Sequence, residues 1–415
     1  MPRWISGAYL NDRKTLRELV RCSVHHFLND GYSWSLYPLL PFIAADFGLS
    51  YAGTGAIKTA MNVLLSALGI PFSILAERIG DLTTLTLGTT LFSLGIAALG
   101  LTWSYSAFLV GVFVAGAGGA ASHPVGSSLV SKGAPANRMG TILGVFNFSG
   151  DVGKAVCPIA AAFLAAVFGW RIALVSIGIV GALLALGLHR LGGQDGDVVI
   201  EEKEGEGLSP PPSSDVPTTT GWGVTSWRAF VALHLVGVLD SLARSGVVVF
   251  ASFVLVDKGF SMASLGGFFG LLAAGGAAGK LVCGPMSDAL GKRNMVIVTE
   301  VLTALGILAF LHSDGRWVGG ALIFLGVFLN GTSSVLYALV PRVTTEARRS
   351  RGFAIYYTVT LAASGLAPLL YGVLGDRIGL YPMFNVMAGA LLLTVPLSFL
   401  LGRPGSEVFT EEPRS

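Results

Sequence analysis

Charge is what this sequence has least of. Lys, Arg, Asp and Glu together make up only 12% of its 415 residues, where an ordinary soluble chain carries about 25%. A soluble chain of this length folds as two or three domains with charged surfaces, and here there are too few charges to cover them. A soluble globular protein is therefore excluded. Cysteine is as sparse. Cys22, Cys157 and Cys283 stand far apart without metal-ligand spacing, so we expect free thiols, no disulfide framework and no metal centre. The net charge of +3 gives no basic excess to argue for nucleic acid. Disorder is excluded from the other side, because 53% of the residues are hydrophobic and mean hydropathy is +0.70.

What is present is length of apolar run. Twelve stretches reach the roughly 20 residues that a membrane helix needs: 20–45, 54–76, 83–103, 105–130, 139–166, 170–190, 228–256, 262–286, 294–312, 316–340, 352–374 and 379–402. They are far too long, and alternate too little, for β-barrel strands. Arg3, Arg13, Lys14, Arg17 and Arg21 precede the first span, and no small-residue cleavage site follows a short apolar core, so no cleavable signal is expected. With the N-terminus inside, nineteen of the 27 Lys and Arg fall in cytoplasmic segments. Four (Arg171, Lys258, Arg316 and Arg377) fall in outer loops, and four (Lys58, Lys154, Arg244 and Lys280) fall inside spans. That bias places both termini in the cytoplasm.

Residues 191–227 break the pattern. They carry Asp195, Asp197, Glu201, Glu202, Glu204 and Glu206, then Pro210, Pro211 and Pro212, and read as a polar cytoplasmic linker. It separates an N-terminal six-helix bundle (1–190) from a C-terminal one (228–415). The halves match in sequence at an offset near 211. Asp46-Phe47-Gly48-Leu49-Ser50 matches Asp257-Lys258-Gly259-Phe260-Ser261. Glu77-Arg78-Ile79-Gly80 matches Asp288-Ala289-Leu290-Gly291. Such a duplication is the expected sign of a transporter built from repeats.

Gly284-Pro285-Met286-Ser287-Asp288-Ala289-Leu290-Gly291-Lys292-Arg293 resembles the signature loop of the major facilitator superfamily, G-x-x-x-D-x-x-G-[RK]-[RK]. In the first-half copy Ser73 replaces Gly, Glu77 replaces Asp, and Asp81-Leu82 replaces the closing basic pair. The resemblance implies an all-α fold of two pseudo-symmetric six-helix bundles, working as a monomer in a bacterial inner membrane without a cofactor. Gly284, Asp288, Gly291, Lys292 and Arg293, with Glu77 and Arg78, would form a latch at the cytoplasmic gate. His26-Phe27-Leu28-Asn29-Asp30 with Tyr37-Pro38, and Gly116 to Gly119 with His123-Pro124, are similar to fosmidomycin-resistance-type exporters. Gly150-Asp151-Val152-Gly153 and then Pro158 resemble a reduced antiporter motif, with Asp151 and Lys154 standing where those exporters are expected to be uncharged.

A charge in the bilayer core costs at least a few kcal/mol unless it is paired or faces water, so each one marks a candidate site. Asp240 and Arg244 are spaced i, i+4, and Asp151 and Lys154 i, i+3, on single helical faces. Asp30, beside His25 or His26, is expected to carry the coupling proton, with Asp151 and Asp240 as further acids. Lys154, Arg244 and Lys280 are expected to hold an anionic group, Arg244 through its planar fork, with Tyr37, Asn147 and His123 as further substrate contacts. Glu300 and Lys58 read as structural, Lys58 snorkelling to the outer surface. The many glycines let helices approach closely, and Pro38, Pro41, Pro71, Pro158 and Pro368 can kink them.

The expected function is proton-coupled efflux of a small anionic or amphiphilic compound by alternating access. Uptake of a small anion is the alternative. An enzyme is not expected. His25-His26-Phe27-Leu28-Asn29-Asp30-Gly31 fits the H-H-x-x-x-D-G pattern of acyl-transferring domains, where the second His is a general base, but here it opens an apolar span. A non-transporting sensor would normally carry a soluble output domain, and none is seen.

Overall fold

The structure, a computed structural model, describes residues 13–132, 139–192, 222–345 and 348–401. Arg3, Arg138 and the acidic, proline-bearing part of the expected linker lie outside the described residues. Within them the chain is helical, apart from one isolated bridge between Val224 and Thr344. The first half comprises α1 (Arg13–Phe47), α2 (Tyr51–Ala67), α3 (Gly69–Ile79), α4 (Asp81–Gly100), α5 (Tyr105–Gly119), α6 (Ser122–Lys132), α7 (Met139–Phe168) and α8 (Trp170–Gly192). The second comprises α9 (Trp227–Asp257), α10 (Met262–Leu290), α11 (Lys292–His312), α12 (Trp317–Tyr337), α13 (Val340–Val343), α14 (Arg349–Ile378), α15 (Leu380–Leu392) and α16 (Thr394–Ser398).

Among the described residues ten helical stretches are long and apolar enough to cross a membrane, and α2 with α3 makes an eleventh, bent by 44°. Pro71 explains the bend. It lacks the N–H that would reach back to the Ala67 carbonyl, one turn earlier, and the break falls between them at Leu68. The twelfth expected span is α1, whose 35 residues reach about 50 Å at 1.5 Å per residue. His25, His26, Asn29 and Asp30 lower its apolarity, and all four are buried.

The duplication is written into the backbone as well as the sequence. Left-handed glycines end or begin helices at Gly48 (φ 62), Gly80 (φ 88) and Gly169 (φ 84), and again at Gly259 (φ 84), Gly291 (φ 80) and Gly379 (φ 89). The intervals are 259−48 = 211, 291−80 = 211 and 379−169 = 210. Any other residue would strain at such turns. Side chains repeat too: Asp46 accepts from Trp170 Nε1 at 3.2 Å, and Asp257, 211 positions on, accepts from the Tyr381 hydroxyl at 2.8 Å.

An even number of crossings brings Arg13 and Leu401 to the same face, the terminal face; the opposite one is the far face. Contacts between the halves gather toward the far face. A Cβ on Gly55 of α2 would overlap the Pro368 carbonyl of α14. Pro158 of α7 lies against Gly266 of α10. At the far end Asp376 of α14 caps α2 across the boundary, its Oδ1 2.8 Å from the Tyr51 N–H and its Oδ2 3.1 Å from the Ala52 N–H. A carboxylate on two orphan N–H groups at a helix start is favoured by both hydrogen bonding and the helix dipole. The seal is one-sided, because Ala166 stands at the corresponding place in α7, three residues before Gly169 as Asp376 is before Gly379 (376−166 = 210).

Removing the cap should loosen the far face. Asp376→Ala is expected to cost the sealed conformation about 1 kcal/mol, shifting its population about fivefold. A cysteine at Val248, on the cavity wall, should then react about fivefold faster with a membrane-impermeant thiol reagent added on the far side. An unchanged rate would show that these two bonds do not hold the seal.

Candidate functional site

Between the halves lies a cavity of about 510 Å³, within the range of about 300–1,000 Å³ typical of small-molecule sites. The first half supplies Asn29, Asp30, Ser33, Trp34 and Tyr37 from α1, Asn62 and Ser66 from α2, His123 from α6 and Lys154 from α7. Ser241, Arg244, Asn330, Tyr337 and Tyr357 come from the second.

Asp30 is the hub. Its Oδ2 lies 2.8 Å from Lys154 Nζ and 3.2 Å from His26 Nε2. Its Oδ1 lies 3.5 Å from His123 Nε2. Asp30 and His26 share a face of α1 by their i, i+4 spacing, and Gly150 leaves room for them: a Cβ there would stand 2.6 Å from His26 Nε2 and 2.7 Å from Asp30 Oδ2. Lys154 continues the chain to Asp151 Oδ1 at 3.3 Å. Asp151 in turn holds Lys280 of α10 at 2.8 Å. Asp30, Lys154, Asp151 and Lys280 thus form one line of alternating charge from the first half into the second, with His26 and His123 against its first member.

Asp240 and Arg244 form the second expected pair, joined through a guanidinium N–H to Asp240 Oδ2. Asp240 is buried, while Arg244 reaches the cavity. Tyr37 lines the cavity and stacks on Phe269 of α10 with ring centroids 5.9 Å apart.

Other residues fall elsewhere. His25 is fully buried, and neither ring nitrogen has a partner; one helix position from His26, it points away from Asp30. Asn147 is exposed, donates to the Leu143 carbonyl of its own helix at 2.9 Å, and is absent from the cavity wall. Lys58 does not snorkel: it is fully buried, its Nζ 3.3 Å from the Ser33 carbonyl and 4.5 Å from the Tyr37 ring centre. Glu300 is fully buried too. Lys154 and Lys280, expected to await an anion, are taken by Asp30 and Asp151. His123, expected as a substrate contact, faces the cavity with its side chain 54% exposed.

The residues expected to form a cytoplasmic latch are not joined to one another by any ion pair seen among the described residues. Among the described residues Asp288, Glu77 and Arg78 form no ion pair; Lys292 donates to the Ala338 carbonyl at 3.2 Å and Arg293 lies over the Phe399 ring. In the first-half loop it is Asp81 that pairs, with Lys132 at 2.6 Å.

The ligand atoms of His26, Asp30 and His123 lie within 4.8 Å of one another, a spacing that could hold a metal ion. Lys154 already puts an ammonium against the same carboxylate, which a cation would have to displace. Sequence reasoning missed Asn62, Ser66, Asn330, Tyr337 and Tyr357. Their signal was present as polar and phenolic residues inside apolar spans.

The Asp240–Arg244 pair gives a test by substitution. Arg244→Ala leaves a buried carboxylate alone and should destabilise the purified protein by about 3–5 kcal/mol, whereas Asp240→Asn with Arg244→Gln should cost far less. Thermal unfolding of both variants checks this, and equal losses would show that the pair is not electrostatically coupled.

Comparison with known proteins agrees with this architecture. The chain is 21% identical over 424 residues to the fosmidomycin resistance protein of Escherichia coli K12, covering 96% of this chain and 97% of that one. It is 22% identical over 373 residues to the hexuronate transporter of Bacillus subtilis 168, covering 87% and 88%. The fold matches the crystal structure of a bacterial homolog of the human lysosomal transporter Spinster, in an inward-facing and occupied conformation. The TM-score is 0.76 at 17% identity, with 95% of this chain and 97% of that one covered. The Major Facilitator Superfamily profile matches residues 23–232 and 233–414, and the chain belongs to that superfamily of multi-pass membrane transporters.

Proposed function

We propose that this transporter couples proton movement to the efflux of a small anionic or amphiphilic compound by alternating access. Asp30 carries the proton. The observation that supports this is the Asp30–Lys154 bond on the cavity wall, flanked by two imidazoles. Protonating Asp30 removes the counter-charge from Lys154, which must then rely on Asp151 or on a group in the cavity. Arg244 offers a second cation on the opposite wall. The basic terminal face is the cytoplasmic one by the distribution of Lys and Arg, and the chain works as a monomer.

Efflux rests on the likeness to the fosmidomycin resistance protein and on the Gly150 to Pro158 segment. One observation favours the alternative, uptake of a small anion. If Lys154 is freed when Asp30 takes a proton, proton and anion bind together, which is cotransport rather than exchange. The likeness to the hexuronate transporter, whose named substrate is a carboxylate, points the same way.

Proteoliposomes with an imposed pH gradient separate the two, with fosmidomycin and glucuronate as probes. Exchange drives the probe toward the acidic side, and cotransport drives it toward the alkaline side. In both cases Asp30→Asn should abolish gradient-driven flux while the protein still inserts. Wild-type pH dependence in that variant would remove Asp30 from the mechanism.

A further inference from the structure

The second half contains ionisable groups that the Asp30 route does not use. Glu300, in the middle of α11, is fully buried, and neither carboxylate oxygen has a hydrogen-bond partner. The charges acting on it are Asp240 and Arg244 of α9. Tyr356 on α14 lies within electrostatic reach of all three, and Tyr337 on α12 within reach of Arg244 and Asp240. α12, α15 and α16 contain no Asp, Glu, Lys, Arg or His. On α10, Lys280 is held by Asp151. Arg244 spends one amino group on Asp240, while its Nε is buried without a partner.

The arithmetic of charge is unequal: two carboxylates share one guanidinium. Arginine stays charged, so it can neutralise one acid and no more. The other must be neutral, because an unpaired, unhydrated carboxylate in this setting is too costly. Here Arg244 sits on Asp240, so Glu300 holds the proton.

We propose that Asp240, Arg244 and Glu300 form a second proton-exchange site, separate from Asp30, that carries one proton at all times. When Arg244 swings so that Nε and an amino group meet Glu300, the Glu300 O–H bond breaks and an Asp240 O–H bond forms. The cluster's charge does not change. Glu300 is the sealed end. Asp240 is the end that can exchange with the cavity, since its neighbours Ser241 and Arg244 line it. The use of this proton in transport rests on the proton-coupled reading above, but its presence does not.

Infrared difference spectroscopy of the detergent-purified protein near neutral pH reads the proton directly, as the carbonyl stretch of a buried carboxylic acid. The band should be present in wild type, absent in Glu300→Gln and retained in Asp30→Asn. Asp240→Asn is the decisive variant. It frees the guanidinium for Glu300, so the band should vanish although Glu300 is intact. Because Gln mimics a protonated Glu, Glu300→Gln should melt within a few degrees of wild type. A band that survives in Asp240→Asn, no band assignable to Glu300, or a Glu300→Gln protein that fails to fold would each overturn the proposal. Absence of pH-gradient-driven flux in the wild-type protein, with the band unchanged in all these respects, would remove the transport reading and leave this site standing.

Discussion

The structure depends on one constraint: a charge inside this bundle must have a partner inside it. Asp30 illustrates how the constraint is met. Lys154 cannot leave it without a replacement, and its nearest replacement, Asp151, is already shared with Lys280. One rearrangement therefore propagates along the line from α1 through α7 to α10, which crosses from one half to the other. Neutralising one end redistributes cations at the other without any change in apolar packing. On the proposed reading, this is how a proton would be coupled to the relative position of two helical bundles.

The same constraint explains which glycines matter. Gly150 allows His26 and Asp30 to lie against α7, and Gly55 allows α2 to lie against the backbone of α14. The first closes the polar cluster, and the second closes the far face. Asp376 adds a directional bond to that apolar seal and has no counterpart at Ala166. The duplicated halves are thus alike in turns and helix ends but unlike in how they are fastened, so the two faces need not open with equal ease.

Much of the fold was legible because it is written in long signals. Apolar runs of membrane length gave the spans, and the Asp46 and Asp257 segments gave a register that the glycine turns reproduce. Pairs spaced on one helix, Asp151 with Lys154 and Asp240 with Arg244, were legible by periodicity alone. What was not legible was contact between helices. Spacing cannot say that Lys280 reaches Asp151, or that His123 of α6 meets Asp30 of α1. Nor can it separate His25 from His26, since the choice depends on how α1 is rotated against α7. Lys58 was misread because depth in sequence does not tell which way a side chain points, and Ser33 and Tyr37 receive it inside. Asn147 erred in the opposite sense, lying outside the cavity wall.

The central claim is that charge is shared along the line between the halves, and a double-mutant cycle between its distant members tests it most directly. Asp30 and Lys280 are linked only through Lys154 and Asp151. Thermal unfolding of Asp30→Asn, Lys280→Met and the double variant should show an interaction energy above about 0.5 kcal/mol. Additivity within about 0.3 kcal/mol would mean that the two ends do not sense one another, and that the line of charges is a set of separate pairs.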